Sequence, residues 1–312
     1  MMDIEYLLFL QNFREATNNI FTPFLEWLSL FSITGLIFVP IIIYWCISKQ
    51  TGFYIFMSFG ISRILNGIAK PTVCAYRPWV RDARIIPAGD SIRTATGYSF
   101  PSGHTMTATP ILGSIFVTLR KSYKLISFLC LILIILVGFS RNYLGVHTPQ
   151  DVLVGFILGA LAIYLAGKVL SNPEHENLFF IAGLIICAVA VTYAKLKNYP
   201  MDYVDGKLLV DPLKMIGNTF GDAGILSGVI IGRWVEKKFI KFQIPKLNFS
   251  LISCVIVGLV IYAVIDQNIS GLIKNFIGSD LTQLVRNFTR MFFVMALWPA
   301  VMKLLGVVKG EN

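Results

Sequence analysis

Two of the chain's three histidines stand among cations at the edges of apolar runs. Lys70 and Arg77 precede Pro78; Ser102, Gly103 and His104 follow Pro101; Arg141, His147 and Asp151 follow Ser140. Ionisable groups at a membrane edge are costly enough to point to function by default. These types suit phosphoryl transfer, in which a protein neutralises oxygens carrying spread charge and holds attack and departure in line. Arg77 and Arg141 offer planar forks for phosphate oxygens, and Lys70 adds a point charge. Ser102 and Gly103 precede an apolar helix, so their N–H groups and the Ser102 hydroxyl would face an anion at its N-terminus. Thr148 and Pro149 read as the N-cap and first residue of the next helix, which puts Asp151 in its first turn. A carboxylate there can fold back onto the His147 imidazole, fix its tautomer and leave the other nitrogen as nucleophile. His104 then remains to protonate a leaving alcohol, a contribution of ~10²–10⁴-fold.

The three segments, in order, read Lys70-x6-Arg77-Pro78, Pro101-Ser102-Gly103-His104 and Ser140-Arg141-x5-His147-x3-Asp151. They resemble the signature of the type-2 phosphatidic acid phosphatase superfamily over about residues 50–170. The resemblance implies a helical membrane core and a phosphohistidine intermediate on His147, with Asp151 as its partner and His104 as general acid. It also implies phosphate binding by Lys70, Arg77, Ser102, Gly103 and Arg141. An acid at position 151 sides with the lipid phosphatases. The expected activity is therefore metal-independent hydrolysis of a lipid phosphate monoester or pyrophosphate. A glucose-6-phosphatase-like sugar-phosphate phosphatase and a lipid phosphotransferase of the same superfamily are the alternatives. Between the first two motifs, Trp79, Arg81, Arg84 and Arg93 offer either a lid or headgroup contact, or simply a solvated loop.

The elements that must hold these residues are membrane helices. The chain is 55% hydrophobic and 14% charged, with a mean hydropathy of +0.70. Its apolar residues gather into runs of roughly 17–25, the length a helix needs to cross hydrocarbon. The expected fold is an all-α, polytopic integral-membrane helical bundle with about nine spans. Their approximate ranges are 22–47, 52–69, 104–119, 123–139, 151–169, 178–195, 217–235, 248–266 and 286–308. Residues 3–17 read as an interfacial helix with Ile4, Leu7, Leu8 and Phe13 toward lipid and Asp3, Glu5, Arg14 and Glu15 in water. Trp27, Trp45, Trp234 and Trp298, near span ends, read as interface anchors. Asp222 and Asp266 also fall near span ends, where a polar pathway and a simple interfacial position are both open. A polar break at residues 171–177 divides the chain into a catalytic core, 1–172, and additional C-terminal spans, 173–312.

The formal net charge of +10 has no soluble basic domain to carry it, so the bilayer and its anionic lipids are the expected partners and nucleic acid is not. No cluster of carboxylates offers hard ligands, so no metal or other cofactor is expected. Cys46, Cys74, Cys130, Cys187 and Cys254 are scattered singly, without metal or redox spacing. Met1 to Phe13 opens with acidic residues and lacks a basic region, so the first apolar span is expected to stay in the protein. Once the motif and loop cations are assigned to phosphate, the remaining ones, above all 120–124 and 233–246, lie on the opposite face. That asymmetry predicts a plasma (inner) membrane protein with its site on the extracytoplasmic side.

Overall fold

Local chemistry starts and stops the helices, and a computed structural model describes residues 2–204 and 206–310. The outermost limits of the two expected blocks, residues 1 and 311–312, fall outside the described residues. In chain order the longer helices are α1 Met2–Ala16, α2 Thr22–Thr34, α3 Phe38–Ile47, α4 Lys49–Val73, α5 Thr105–Leu119 and α6 Lys124–Tyr143. They continue with α7 Pro149–Ser171, α8 Glu176–Leu196, α9 Pro212–Val235, α10 Phe249–Ile277, α11 Ser279–Phe292 and α12 Trp298–Leu304. Ser48 starts α4 by accepting from Thr51 N at 3.1 Å, and Asp211 starts α9 by accepting from Leu213 N at 2.9 Å. Each side chain satisfies one of the N–H groups that a helix start leaves unpaired. Cys74, in the left-handed region at φ 51°, ends α4 and turns the chain toward the motif loop. Two short ladders, Tyr203–Val204 with Lys207–Leu208 and Phe242–Gln243 with Lys309–Gly310, are the strands among the described residues.

The protein is an all-α, polytopic membrane protein with six helices long and apolar enough to span, or seven if the bent pair α2–α3 is one crossing. That pair bends by 45°. Two of the expected spans do not meet the same measure. The first, α5, has only 15 residues. The expected 286–308 span is split between the end of α11, a π turn at Phe293–Leu297, and α12. Arg286 and Arg290 lie within its first turns.

Lipid tails are as apolar as leucine, so helix association here depends on close fit and on hydrogen bonds between helices. Both are visible. Tyr44 Oη donates to Met295 O at 3.1 Å and Trp45 Nε1 to Val294 O at 2.9 Å, tying α3 to the π turn. Trp45 and Trp298 are therefore core residues, not the interface anchors their position suggested, whereas Trp27 and Trp234 are exposed. On α9, Gly221, Gly224, Gly228 and Gly232 line the face against α11. A Cβ on Gly224 would strike Leu284 O, and one on Gly228 would stand 2.7 Å from Phe288 O.

Helix α1 corrects the sequence reading at three residues. Ile4 and Leu7 pack with Ile85 of the inter-motif loop instead of facing lipid. Arg14 is buried, donating to Ile86 O at 2.8 Å and Tyr143 O at 3.3 Å. Two backbone carbonyls of the motif region needed a donor, and an interior Arg supplies it.

Candidate active site

The last turn of α4, the loop before α5 and the start of α7 converge on one cavity of about 320 Å³. Lys70, Arg77, Gly103, His104 and His147 line it. Lys70 Nζ donates to Tyr98 O at 3.0 Å and Pro101 O at 3.1 Å, which pins the loop that carries Ser102 and His104. Arg77 is held by Gly97 O at 3.0 Å, Val146 O at 2.9 Å and Thr96 O at 3.1 Å. Its Nη1 lies 2.9 Å from His147 Nε2. Backbone carbonyls thus fix both cations in place, the kind of preorganisation that electrostatic catalysis needs.

Asp151 sits in a reciprocal capping arrangement at the start of α7. Thr148 Oγ1 accepts from Asp151 N at 3.4 Å, and Asp151 Oδ2 accepts from Thr148 N at 2.8 Å. The same Oδ2 lies 3.3 Å from His147 Nδ1. Nδ1 is therefore placed to donate to the carboxylate, leaving the Nε2 lone pair toward Arg77 and the cavity. Ser99 Oγ also donates to Asp151 Oδ2, at 2.6 Å. Ser99 was not marked in the sequence; the only cue is its place two residues before Pro101.

Burial first, and then the Arg77 guanidinium, push His147 well below the ordinary imidazole range, against the opposing pull of Asp151. His104 is lowered well below that range too, by burial and then by Arg141, His147, Arg77 and Lys70. A dianion in the cavity would cancel the nearby positive charge and so shift both imidazoles back toward protonation.

Ser102 and Arg141 stand behind the cavity wall. Ser102 N donates to Asp151 O at 3.0 Å, and its Oγ accepts from Thr105 Oγ1 at 2.9 Å, locking the motif loop to α5 and α7. Arg141 is fully buried and bonded through Nη1 to Ser29 Oγ, while its Nε and Nη2 have no partner. A buried guanidinium with two free donors fits anion oxygens better than a structural role.

Trp79 packs beneath Arg77, whose guanidinium lies 5.9 Å from its ring. The remaining loop cations are engaged outside the cavity wall. Arg81 pairs with Asp3 at 2.8 Å, and Arg84 with Asp82 at 2.8 Å and Glu5 at 3.0 Å. Arg93 is exposed and pairs with Asp90 at 3.3 Å. Among the described residues, no group of three or more His, Cys, Asp or Glu side chains gathers as a metal site.

This constellation coincides with the segment that the PAP2 superfamily profile matches, residues 51–173. Residues 51–173 are a PAP2-superfamily domain. Three relatives, each named as a phosphatase, are similar to the chain over this region. Phosphatidylglycerophosphatase B of Bacillus subtilis is 35% identical over 121 residues, which cover 36% of this chain and 55% of the relative. Undecaprenyl-diphosphatase of Sulfolobus acidocaldarius is 29% identical, covering 46% and 68%. Sphingosine-1-phosphate phosphatase 2 of Mus musculus is 26% identical over 214 residues, covering 66% of this chain and 56% of the relative. The matched stretch thus spans between about half and two-thirds of these relatives' lengths. No solved structure matches the chain.

The cavity continues past the PAP2 motifs along α4 to a wall of which the sequence had singled out only Asp222. Arg63, Asn66, Asp222, Arg286, Asn287 and Arg290 line it. Asp222 is buried in the middle of α9, not interfacial, and accepts from Arg63 Nε at 2.8 Å and Nη2 at 2.6 Å. Arg286 pairs with Asp266, which also lies 3.1 Å from Arg290 Nη1. The available signal was the glycine stripe of α9 and the four-residue spacing of Arg286 and Arg290, which puts both on one helix face.

Proposed function

We propose that the protein is a lipid phosphatase that hydrolyses a phosphate monoester or diphosphate through a phosphohistidine on His147, without a metal ion. The observation that carries this reading is the orientation of His147, with Nδ1 on Asp151 and Nε2 beside Arg77 in a cavity that His104 also lines. In the forward step Nε2 attacks phosphorus, the P–O bond to the lipid breaks, and His104 delivers its proton to the departing oxygen. Water then attacks the phosphohistidine with His104 as base, releasing inorganic phosphate and regenerating neutral His147. Lys70 and Arg77 hold the equatorial oxygens and Arg141 adds its charge from behind the cavity wall, a task that metal ions perform in other phosphotransferases. The names of the relatives, each a phosphatase of a lipid phosphate or diphosphate, support the lipid class.

The same reading takes residues 1–172 as the catalytic core and 173–312 as an appended helical block, with α5 and the 286–304 region as the remaining crossings of a nine-span bundle. It places the site on the extracytoplasmic face of the plasma membrane. Charge supports that sidedness. Lys49, at the opposite end of α4 from Lys70, belongs to a cluster with Glu236, Arg233, Glu176 and Lys237. The two ends lie ~30 Å apart along the helix, about one hydrocarbon thickness.

The test is phosphate release by purified protein in detergent with EDTA, over phosphatidic acid, phosphatidylglycerol phosphate, sphingoid phosphate, polyprenyl diphosphate and hexose phosphate. Full activity on lipids in EDTA, inhibition by vanadate and loss in His147→Ala are expected. Activity restored only by magnesium, or confined to hexose phosphate, would overturn the reading.

A further inference from the structure

The cavity has two halves, and the motifs explain only one. The second is built by the middle of α4 and by α9 and α11. Its formation follows from the α9 glycines: without Cβ atoms at Gly221, Gly224 and Gly228, α11 approaches closely enough to present Arg286, Asn287 and Arg290 to the cavity. Asn287 Nδ2 donates to Gly221 O at 3.0 Å, locking that rotation. Arg290 Nη2 donates to Tyr262 Oη at 2.6 Å, while its Nε has no partner.

Arg63 joins the halves. Its Nε and Nη2 are held by Asp222, and its Nη1 points toward the motif loop, 3.8 Å from where a Cβ on Gly103 would stand. Lys70 lies two turns further along the same helix, ~10 Å away in axial rise.

Charge identifies what the second half takes. Around the motif half stand Lys70, Arg77 and Arg141 against Asp151; around the other stand Arg63, Arg286 and Arg290 against Asp222 and Asp266. Arg63, Lys70, Arg77, Arg286, Arg290 and Asp222 line the cavity, with Arg141, Asp151 and Asp266 just behind the lining; leaving the histidines aside, these six cations and three carboxylates sum to three positive charges. Uncompensated charge in a low-dielectric interior is costly. A phosphate monoester dianion leaves one positive charge over. A second phosphate, as a diphosphate or as a phosphodiester elsewhere in the headgroup, supplies the balance.

Resting on the lipid-phosphatase reading, we infer that Arg63, Arg286 and Arg290 form a subsite for a second phosphate group on the substrate. The subsite selects lipids carrying two phosphates over lipids carrying one. It does so by binding the group that stays on the lipid, so its contribution falls on KM more than on kcat.

The experiment measures kcat/KM of purified full-length protein for three lipids of matched chain length: an alkyl monophosphate, an alkyl diphosphate and phosphatidylglycerol phosphate. Wild type should prefer at least one two-phosphate lipid over the monophosphate. In Arg290→Gln and Arg286→Gln that preference should fall at least tenfold, mainly through KM, and Arg290→Lys should restore part of it. The lipid whose advantage collapses tells whether the second phosphate is a diphosphate or a phosphodiester. An unchanged preference in correctly folded variants, both substrates falling together, would assign the cluster to helix packing and overturn the inference. Thermal stabilisation by methylenediphosphonate supplies a readout that needs no turnover. If wild type hydrolyses none of the lipids yet is stabilised by this probe, and Arg290→Gln is not, the subsite stands and the lipid-phosphatase reading fails. Equal stabilisation of wild type and variant would reject the subsite.

Discussion

Replacing Asp151 by Asn separates its two tasks, capping α7 and charging His147. Asp151 Oδ2 accepts from Ser99 Oγ at 2.6 Å and from Thr148 N at 2.8 Å, and lies 3.3 Å from His147 Nδ1. An Asn carbonyl oxygen keeps the first two bonds, so the helix start survives. What it cannot supply is a negative charge beside the imidazolium that the proposed phosphoryl transfer to Nε2 would form. A hydrogen bond to a charged group contributes ~1.5–3 kcal/mol, and each ~1.4 kcal/mol of barrier is tenfold in rate. Asp151→Asn should therefore lower kcat by about 10- to 100-fold. Single-turnover phosphate release and acid-quenched trapping of the phosphoenzyme from labelled substrate would measure it, with the melting temperature in detergent as the control for folding. A loss below about threefold in a protein that melts like wild type would reduce Asp151 to a helix cap and refute the reasoning.

His104→Ala should depress cleavage of an alkyl phosphate far more than that of a nitrophenyl phosphate, because a good leaving group needs little protonation; equal losses would exclude the general-acid role. Stability should fall on acidification. His104 and His147 titrate in the folded state below their ordinary value of ~6.5, so below that pH the unfolded chain binds more protons. The contribution is intact above ~6.5 and is lost as pH falls toward the folded values. Melting curves from pH 7.5 to 5 should show a slope that His104→Ala and His147→Ala flatten, and an undiminished slope in both variants would place its origin elsewhere. Sidedness is testable with single cysteines in a cysteine-free background. Arg93 is exposed, so Arg93→Cys is a probe of the inter-motif loop. It should react with an impermeant maleimide on intact cells, Ser122→Cys should react only after permeabilisation, and the reverse pattern would put the site in the cytoplasm.

The membrane class and the motif constellation were legible in the chain because both are written locally. Apolar run length sets a span, and a Thr-Pro-x-Asp start fixes how Asp151 meets His147 within four residues. Tertiary packing alone decided the rest. Trp45 and Trp298 look like interface anchors by position, yet both are buried in the core, where Trp45 donates to the Val294 carbonyl. Arg14 looks like a wet residue on a surface helix, but it reaches carbonyls at positions 86 and 143, contacts that no local pattern specifies. Arg63 and Asp222 are 159 residues apart in sequence and join only because α4 and α9 lie side by side. The direction of Arg286 and Arg290 depends on the rotation of α11, which the glycine face of α9 sets. The motif chemistry of the site is therefore a property of the sequence at helix ends. The cationic wall opposite it is a property of how distant helices pack, because rotation and depth are fixed by fit between surfaces and not by either helix alone.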